Sequence, residues 1–581
     1  MSVSPRVRRR ECAVAGRWPD HVPPLLQRIY AARGAVEFDH AQPRLAQLLS
    51  PDLLGGMDAA TEMLAHAIGQ GRHIVVVGDF DCDGATACAV GVRGLRMLGA
   101  TRVTPAVPNR MVHGYGLSPA LVDELAALAP DLLVTVDHGI ACLAGIAAAK
   151  ARGWQVLVTD HHLPGESLPL ADAIVNPNLR GDAFPSKVLA GVGVMFYVLL
   201  ALRRRLRDAG RLPVPEPDLG TLLDLVAVGT VADLVALDLN NRALVGAGMR
   251  RLRAGQGCAG LRALIDISGR EAARLTTADI GFAVAPRLNA AGRLEDMAIG
   301  IECLLCDDDT RARELAEVLH AINAERRGVQ QMMTADADAA LSTCGHDGAS
   351  DQVPHALCLF HEEWHPGVVG LVASKMKEKL HRPVVAFAPA EPGSSALRGS
   401  ARSIPGFHIR DALANVDARH PGLLGRFGGH AMAAGLSLER DNIEAFQAAF
   451  LQQAEAMLDE SLLHAELMSD GELHAHEFAH ASAEALRSGA TWGQGFPEPL
   501  FDGEFDVLDW KVVGDRHLKL TVRVEGRREP LSAIHFGGWH EQPPAARVLL
   551  AYRLVPDDYR GGGAIQLIVE HLQAVPVPVC A

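Results

Sequence analysis

Acidic and histidine residues gather at four points of this chain in a pattern suited to metal-assisted hydrolysis. They are Asp79-Phe80-Asp81-Cys82-Asp83-Gly84, Asp137-His138-Gly139, Asp160-His161-His162 and Ala232-Asp233-Leu234. Asp79 and Asp81 stand two apart on backbone that should be extended, so both can face one point as the chain turns at Gly84. Asp137 would bridge, His161 adds a ring nitrogen, and Asp233 closes the set from the end of a helical segment, 222–230. Carboxylates crowded together repel one another and call for cations between them. Carboxylate-rich sites with one imidazole suit Mn²⁺ or Mg²⁺ better than structural zinc. Two such ions roughly 3.5–4 Å apart clamp the attacking and leaving oxygens of a phosphoryl displacement. Hydrolysis of a phosphodiester is therefore the expected reaction. A single Asp after a strand is usually a turn former or helix cap, and Asp83 fits that plainer role. Four clusters at matching positions do not reduce to it.

The elements that must position these residues are legible around them. The first three clusters follow β-rich runs at 74–77, 132–136 and 156–159. Strand-like and helix-like segments alternate from 72 to about 245, which predicts a doubly wound parallel sheet. Ligands of such sheets bind beyond the carboxyl ends of the strands, so distant clusters converge on one rim. The apolar run 188–202 is shorter than the roughly 20 residues needed to span a bilayer. Gly191 and Gly193 interrupt it, and a helix buried against the sheet is expected. Residues 250–340 read as helices, and the charged, amphipathic 311–332 stretch suits a bridge between lobes. The polar, turn-rich 346–354 segment reads as a linker. A second α/β unit follows, with strands at 356–360 and 383–388 around a helix at 368–380, ending near Phe450. Helical sequence runs on to about 488. Short alternating strands such as 518–524 and 547–554 then predict a small antiparallel barrel or sandwich.

Composition narrows the class. The chain has 581 residues, a net charge of −14, and 49% apolar and 21% charged residues, which points to a multidomain globular protein rather than a disordered one. The negative balance argues against a surface coated in non-specific nucleic-acid contacts but leaves room for a local basic groove. The ten Cys are scattered. The pair Cys303-Leu-Leu-Cys306 lacks the second pair or nearby His of a zinc site, so buried thiols and a reducing cytoplasm are expected. Arg6, Arg8, Arg9 and Arg10 have no apolar stretch behind them, so a signal peptide is not expected. No membrane is needed.

The segments G-D-F-D-C-D-G-A-T, V-D-H-G, T-D-H-H and V-A-D-L resemble the four motifs of the DHH phosphoesterase superfamily. Ala285-Pro-Arg-Leu-Asn-Ala-Ala-Gly-Arg293 extends the likeness. Leu397-Arg-Gly-Ser-Ala-Arg-Ser403 and Phe427-Gly-Gly-His430 resemble its DHH-associated domain. The likeness runs from about Val75 into the C-terminal barrel. It implies an N-terminal extension (1–70), a DHH phosphoesterase domain (71–248), a helical connector (249–350), a second α/β DHH-associated domain (351–455), and a helical segment plus OB-like β-barrel (456–581). It implies Asp79, Asp81, Asp137, His161 and Asp233 as metal ligands, with His162 near the attacking or leaving oxygen. Some pyrophosphatases of the superfamily carry a His four residues before the first Asp. Val75 stands there in this chain, which removes one ligand and favours a nuclease.

Within the superfamily the likeness is to single-strand-specific exonucleases that act in DNA repair and recombination with two divalent cations. The 5′ to 3′ direction rests on that likeness alone. Two alternatives stay open. One is a small-substrate phosphodiesterase acting on short oligonucleotides or cyclic dinucleotides, which would leave the extra barrel without a use. The other is a non-catalytic scaffold at replication forks, which would be expected to have lost its carboxylates. Single-stranded DNA is the expected partner of a monomer, and a single-strand-binding protein and a helicase are candidate protein partners.

Candidate contacts to the nucleic acid follow from charge and small neighbours. Arg110 succeeds a strand and sits near the same rim, and Arg287, Asn289 and Arg293 share a Gly- and Ala-rich stretch. Guanidinium forks match phosphate oxygens. In the second lobe, residues 399–403 could form an anion-binding nest of backbone amides. By the resemblance Ser400, Arg402 and His430 contact the strand end. The barrel offers Arg516, His517, Lys519, Arg523, Arg527 and Arg528, with Trp510 and Phe536 as stacking surfaces.

Overall fold

A computed structural model describes residues 5–11, 15–110, 112–344 and 354–575. All of the expected linker except Pro354 lies outside them. The chain forms two compact units. One joins Arg10–Asn323 to Asp470–Ala581, and the other joins Ala324–Ser469 to Met1–Arg9.

Five parallel strands organise the larger unit. They are β1 (Ile74–Val77), β2 (Val103–Ala106), β3 (Leu132–Val136), β4 (Gln155–Thr159) and β5 (Ala173–Val175), in the order β2-β1-β3-β4-β5. The apolar runs of β1 and β3 are buried at every position, as a sheet covered on both faces requires. One face packs on helices α1 (Cys82–Met97), α2 (Gly191–Asp208) and α3 (Leu223–Ala232). The other packs on the helices Pro119–Leu125 and Leu143–Ala151. The expected buried helix is α2, and the three-residue β5 was not anticipated. Helices between 259 and 319, among them α4 (Ala285–Leu294), share the first core, so the helical connector is fused to the sheet there. The order reverses between β1 and β3, and such a switch point opens a crevice at the strand ends.

The same unit ends in a closed five-stranded barrel, which decides between barrel and sandwich. Its core takes in Leu25, Ile29 and Tyr30 from the helix Pro24–Ala31. Arg33 donates to both oxygens of Asp470 at 2.7 and 2.9 Å, with both side chains almost wholly buried.

In the smaller unit a mixed five-stranded sheet runs Phe427–Gly429, Ala433–Glu439, Ala396–Arg402, Val384–Pro389, Leu357–Phe360. The proposed amide nest at 399–403 is corrected here. Residues 396–402 form a central strand paired on both sides, so their amides belong to the ladder. Arg6–Arg9 pairs in parallel with Glu466–Ser469, inside the stretch expected to be helical. No described helix is long and apolar enough to cross a membrane.

Candidate metal centre

Strand register brings the acidic loops level. Val77 of β1 pairs with Thr135 of β3, and Val136 of β3 pairs with Thr159 of β4. Asp79, Asp137 and Asp160 therefore leave the sheet side by side. Asp81 caps α1, its Oδ1 accepting from the Gly84 amide at 3.0 Å. Asp233 follows the last turn of α3. Asp137 has φ +66° and Leu234 φ +61°. Left-handed backbone at non-glycine residues costs on the order of 1–3 kcal/mol and clusters at functional sites.

The ligand atoms form three overlapping groups, each with its atoms within 4.8 Å of one another: Asp79, Asp81 and Asp137; Asp137, His161 and His162; and Asp83, His161 and Asp233. His161 Nε2 lies 3.1 Å from Asp137 Oδ1 and 3.6 Å from Asp233 Oδ2. Asp137 is thus common to both sides, as a bridging ligand must be. Asp79 and Asp137 are each 2% exposed. Asp79 Oδ1, Asp137 Oδ1 and Asp233 Oδ2 are buried without a hydrogen-bond partner among the described residues. Burial, and then the charge of Asp81, holds the Asp79 carboxyl well above the ordinary range. Burial followed by Asp83 and Asp81 does the same to Asp137 and Asp233. Buried anions without counter-charge are costly. A divalent cation between them removes that cost, so the donor set fits the expected pair of Mn²⁺ or Mg²⁺ ions.

Several residues hold this set in place. Asp83 accepts from the amides of Gly191 and Val192 at 2.7 and 3.0 Å and so caps α2, the plainer role expected of it. A Cβ on Gly191 would lie 2.5 Å from that of Asp137, so the close approach of α2 requires glycine. Asp160 was given no role from sequence. Its Oδ1 accepts from His162 Nδ1 at 2.8 Å and from the His161 and His162 amides, and its Oδ2 from the Ile140 amide at 2.9 Å. Burial opposes ionisation of Asp160, but His162 and these amides hold its pKa at about 2. Burial likewise opposes charge on His162, yet Asp160, with Asp233 and Asp79 behind it, raises that pKa to about 9. Asp160 therefore favours the protonated form of His162, close to the metal ligands.

Other expected contacts divide into two kinds. The Arg110 guanidinium stacks on the Phe80 ring, 4.8 Å from its centroid, at the rim of the site. Arg293 lies in the last turn of α4, partly buried. Asn289 and Arg287 turn inward. Asn289 Oδ1 accepts from the Cys82 amide at 2.8 Å, bracing the first acidic loop. Arg287 is 5% exposed, donates to the Ala283 carbonyl and approaches His320 Nδ1 at 3.1 Å. Tyr115 was missed from sequence, although its setting between Gly114 and Gly116 marked a loop able to approach a ligand closely. Its ring contacts Phe80 and His162 edge-on.

In the smaller unit, Arg402 donates to Ser400 Oγ at 2.8 Å and Ser374 Oγ at 3.2 Å. A Cβ on Gly370, in the first turn of the helix Val369–Leu380, would lie 2.8 Å from Arg402. His430 continues from the strand Phe427–Gly429, and its amide donates to the Ala433 carbonyl. On the barrel, Trp510 stacks on Trp539 with centroids 5.5 Å apart, and Phe536 meets His517 edge-on.

Family models match three stretches: the DHH family N-terminal domain over residues 73–230, the DHHA1 domain over 352–456, and the RecJ OB domain over 469–571. The chain is 49% identical over 580 residues to the single-stranded-DNA-specific exonuclease RecJ of Dickeya dadantii, covering 98% of this chain and 100% of that one. It is 47% identical to the protein of the same name from Escherichia coli, covering 98% and 99%. The crystal structure of RecJ in complex with Mn²⁺ from Thermus thermophilus superposes with a TM-score of 0.78 at 30% identity, covering 97% of this chain and 80% of that one.

Proposed function

The chain belongs to the RecJ family of DHH phosphoesterases, and from that premise we infer a metal-dependent, single-stranded-DNA-specific exonuclease. The observation that carries this reading is the set of overlapping ligand groups in which Asp137 and His161 recur, with His161 lying between Asp137 and Asp233. Asp79, Asp81 and Asp137 would hold one cation, and Asp137, His161 and Asp233 the other. When bound, Mn²⁺ or Mg²⁺ supplies the positive charge that polarises the scissile phosphate and lowers the pKa of an attacking water.

The remaining work falls to the chain itself. Protonated His162 donates to a phosphate oxygen or to the departing 3′ oxygen, and Asp160 keeps its ring oriented and charged. Arg110, supported on Phe80, pairs with a backbone phosphate of the strand. Arg293 belongs to the same substrate-binding set. Asn289 acts through the loop that carries Asp79 and Asp81, and Arg287 steadies α4 through the Ala283 carbonyl and His320. In the smaller unit Ser400, Arg402 and His430 receive the terminal phosphate, supported by Ser374 and the helix start at Gly370. The barrel takes the trailing strand on Trp510 and Phe536 and its basic side chains.

Finer points complete the proposal. Digestion runs 5′ to 3′, a single-strand-binding protein and a helicase supply substrate, and the protein works as a monomer in the cytoplasm during repair and recombination. The test supplies purified protein and Mn²⁺ with end-labelled long single strands, duplexes and dinucleotides. Mononucleotides released progressively from the 5′ end of long single strands support the reading. Hydrolysis confined to dinucleotides, or none, overturns it.

A further inference from the structure

A second, electropositive cavity opens in the larger unit. It measures about 400 Å³ and is lined by Arg93, Arg96, Arg251 and Arg262 against only Asp224 and Asp307. This excess of positive charge stands out in a chain of net charge −14. The guanidiniums are held open by backbone carbonyls. Arg93 donates to the Leu304 and Cys306 carbonyls, Arg96 to Val103, Arg251 to Gln256 and Arg262 to Gly257. Arg93 also pairs with Asp307 at 2.7 Å and Arg262 with Asp309, so the positive charge left for a ligand centres on Arg96 and Arg251. The Nε of Arg251 is buried without a hydrogen-bond partner among the described residues. The N-terminus of the helix Ala259–Ile267 also faces this lining through Gly257, Cys258 and Ala259, and Cys258 supplies no side-chain cap.

An independent feature is Asp224. It lines the cavity, is 1% exposed, and gives one oxygen to the Cys258 amide at 2.6 Å. Its Oδ1 has no hydrogen-bond partner among the described residues. A buried carboxylate oxygen left this way is costly unless a donor reaches it. A bare inorganic anion would satisfy the arginines and repel Asp224. The lining asks for a molecule with an anionic end, an N–H or O–H donor, and a flat apolar part to lie on Met97, Leu222 and Leu305.

We propose that this cavity is a binding site for a nucleoside monophosphate, separate from the metal centre. The phosphate engages Arg96 and Arg251, a base amine or sugar hydroxyl donates to Asp224, and the base covers the apolar wall. The chemistry of the cavity stands without the nuclease reading. Only the identification of its ligand with the reaction product rests on that reading. Two helices tie the cavity to the metal ligands. Helix α1 is capped by Asp81 at one end and carries Arg93 and Arg96 near the other. Helix α3 carries Asp224 in its first turn and is followed by Asp233. At 1.5 Å per residue the separation along α3 is roughly 14 Å. A product bound there stiffens both helices and alters the grip on the metals, which makes it a device for feedback.

The test titrates a fluorescent deoxyadenosine monophosphate into the full chain in excess EDTA, where the metal centre cannot recruit phosphate. Saturable binding is expected, with the Kd raised roughly tenfold or more in Arg251→Gln. Thr221→Trp, at the exposed mouth, should block binding while leaving every charge in place. Both variants should keep wild-type hydrolysis of single strands at low product and lose inhibition by added mononucleotide. No binding in EDTA, or binding indifferent to both substitutions, overturns the proposal. Full displacement by equimolar inorganic phosphate overturns the nucleotide assignment. An inactive wild type that still binds the nucleotide would sink the nuclease reading and leave the cavity's ligand class standing.

Discussion

Asp160 and His162 form a carboxylate–imidazole pair 2.8 Å apart, and the carboxylate is also locked to the Ile140, His161 and His162 amides. Asp160 holds its charge down to a pKa of about 2, and His162 keeps its proton up to about 9. The His162 cation is therefore present below that value and is lost as pH rises through it. In Asp160→Asn the largest favourable influence is gone while burial still opposes the charge. The alkaline fall in kcat/KM should move toward neutrality, and a pH–rate profile of nucleotide release reads it directly. An unmoved profile would remove His162 from the role of proton donor.

Asp137→Ala should lower nucleotide release at least about a hundredfold while leaving single-strand binding measurable. Calorimetric titration with Mn²⁺ should lose the two-ion stoichiometry. Undiminished hydrolysis would end its assignment as the bridging ligand.

Metal and stability are linked through the same buried anions. In EDTA, Asp79→Asn should raise the thermal midpoint, because it removes a charge that burial and Asp81 both disfavour. With Mn²⁺ the order should reverse. A cation at a hundred times its Kd stabilises the wild type by about 2.7 kcal/mol, and the variant forgoes much of that. Paired melting curves with and without metal check both signs.

Asn289→Ala should lower kcat roughly 10- to 100-fold with little change in KM, because it supports the Asp79–Asp81 loop through the Cys82 amide. A purely substrate-binding residue would mainly raise KM. Steady-state kinetics on a single-stranded oligonucleotide separates the two.

Much of this centre is legible in the sequence because each acidic cluster stands at or just past the end of the apolar run that places it. The strands at 74–77 and 132–136 emerge with the bounds their composition suggested. What escaped depends on contacts far apart in the chain. Asn289 looked like a phosphate contact until its partner, 207 positions away, was seen to be the Cys82 amide. Residues 399–403 suggest an anion-binding nest because they are small and polar, and only two flanking strands reveal a central ladder position. Arg6–Arg9 is too charged to suggest a strand, and its partner Glu466–Ser469 is equally unmarked.

Alkaline pH offers a check on the barrel. Tyr30 is buried, and burial raises its pKa to about 12 against the small opposing effect of Gln42. Its folded pKa lies above the unfolded value of about 10. The contribution is complete below pH 10 and declines between 10 and 12. Tyr30→Phe should flatten that decline at a cost of about 1 kcal/mol at neutral pH, since the Gly489 carbonyl loses a donor. Chemical denaturation across that window measures it.

Tyr30 also fixes when the molecule can become whole. Leu25, Ile29 and Tyr30 leave the ribosome before the walls they pack against, which come from residues 473–569. Several hundred residues must be made before that greasy helix finds cover. A message cut short, or a stalled ribosome, leaves that apolar face without the cover that residues 473–569 provide.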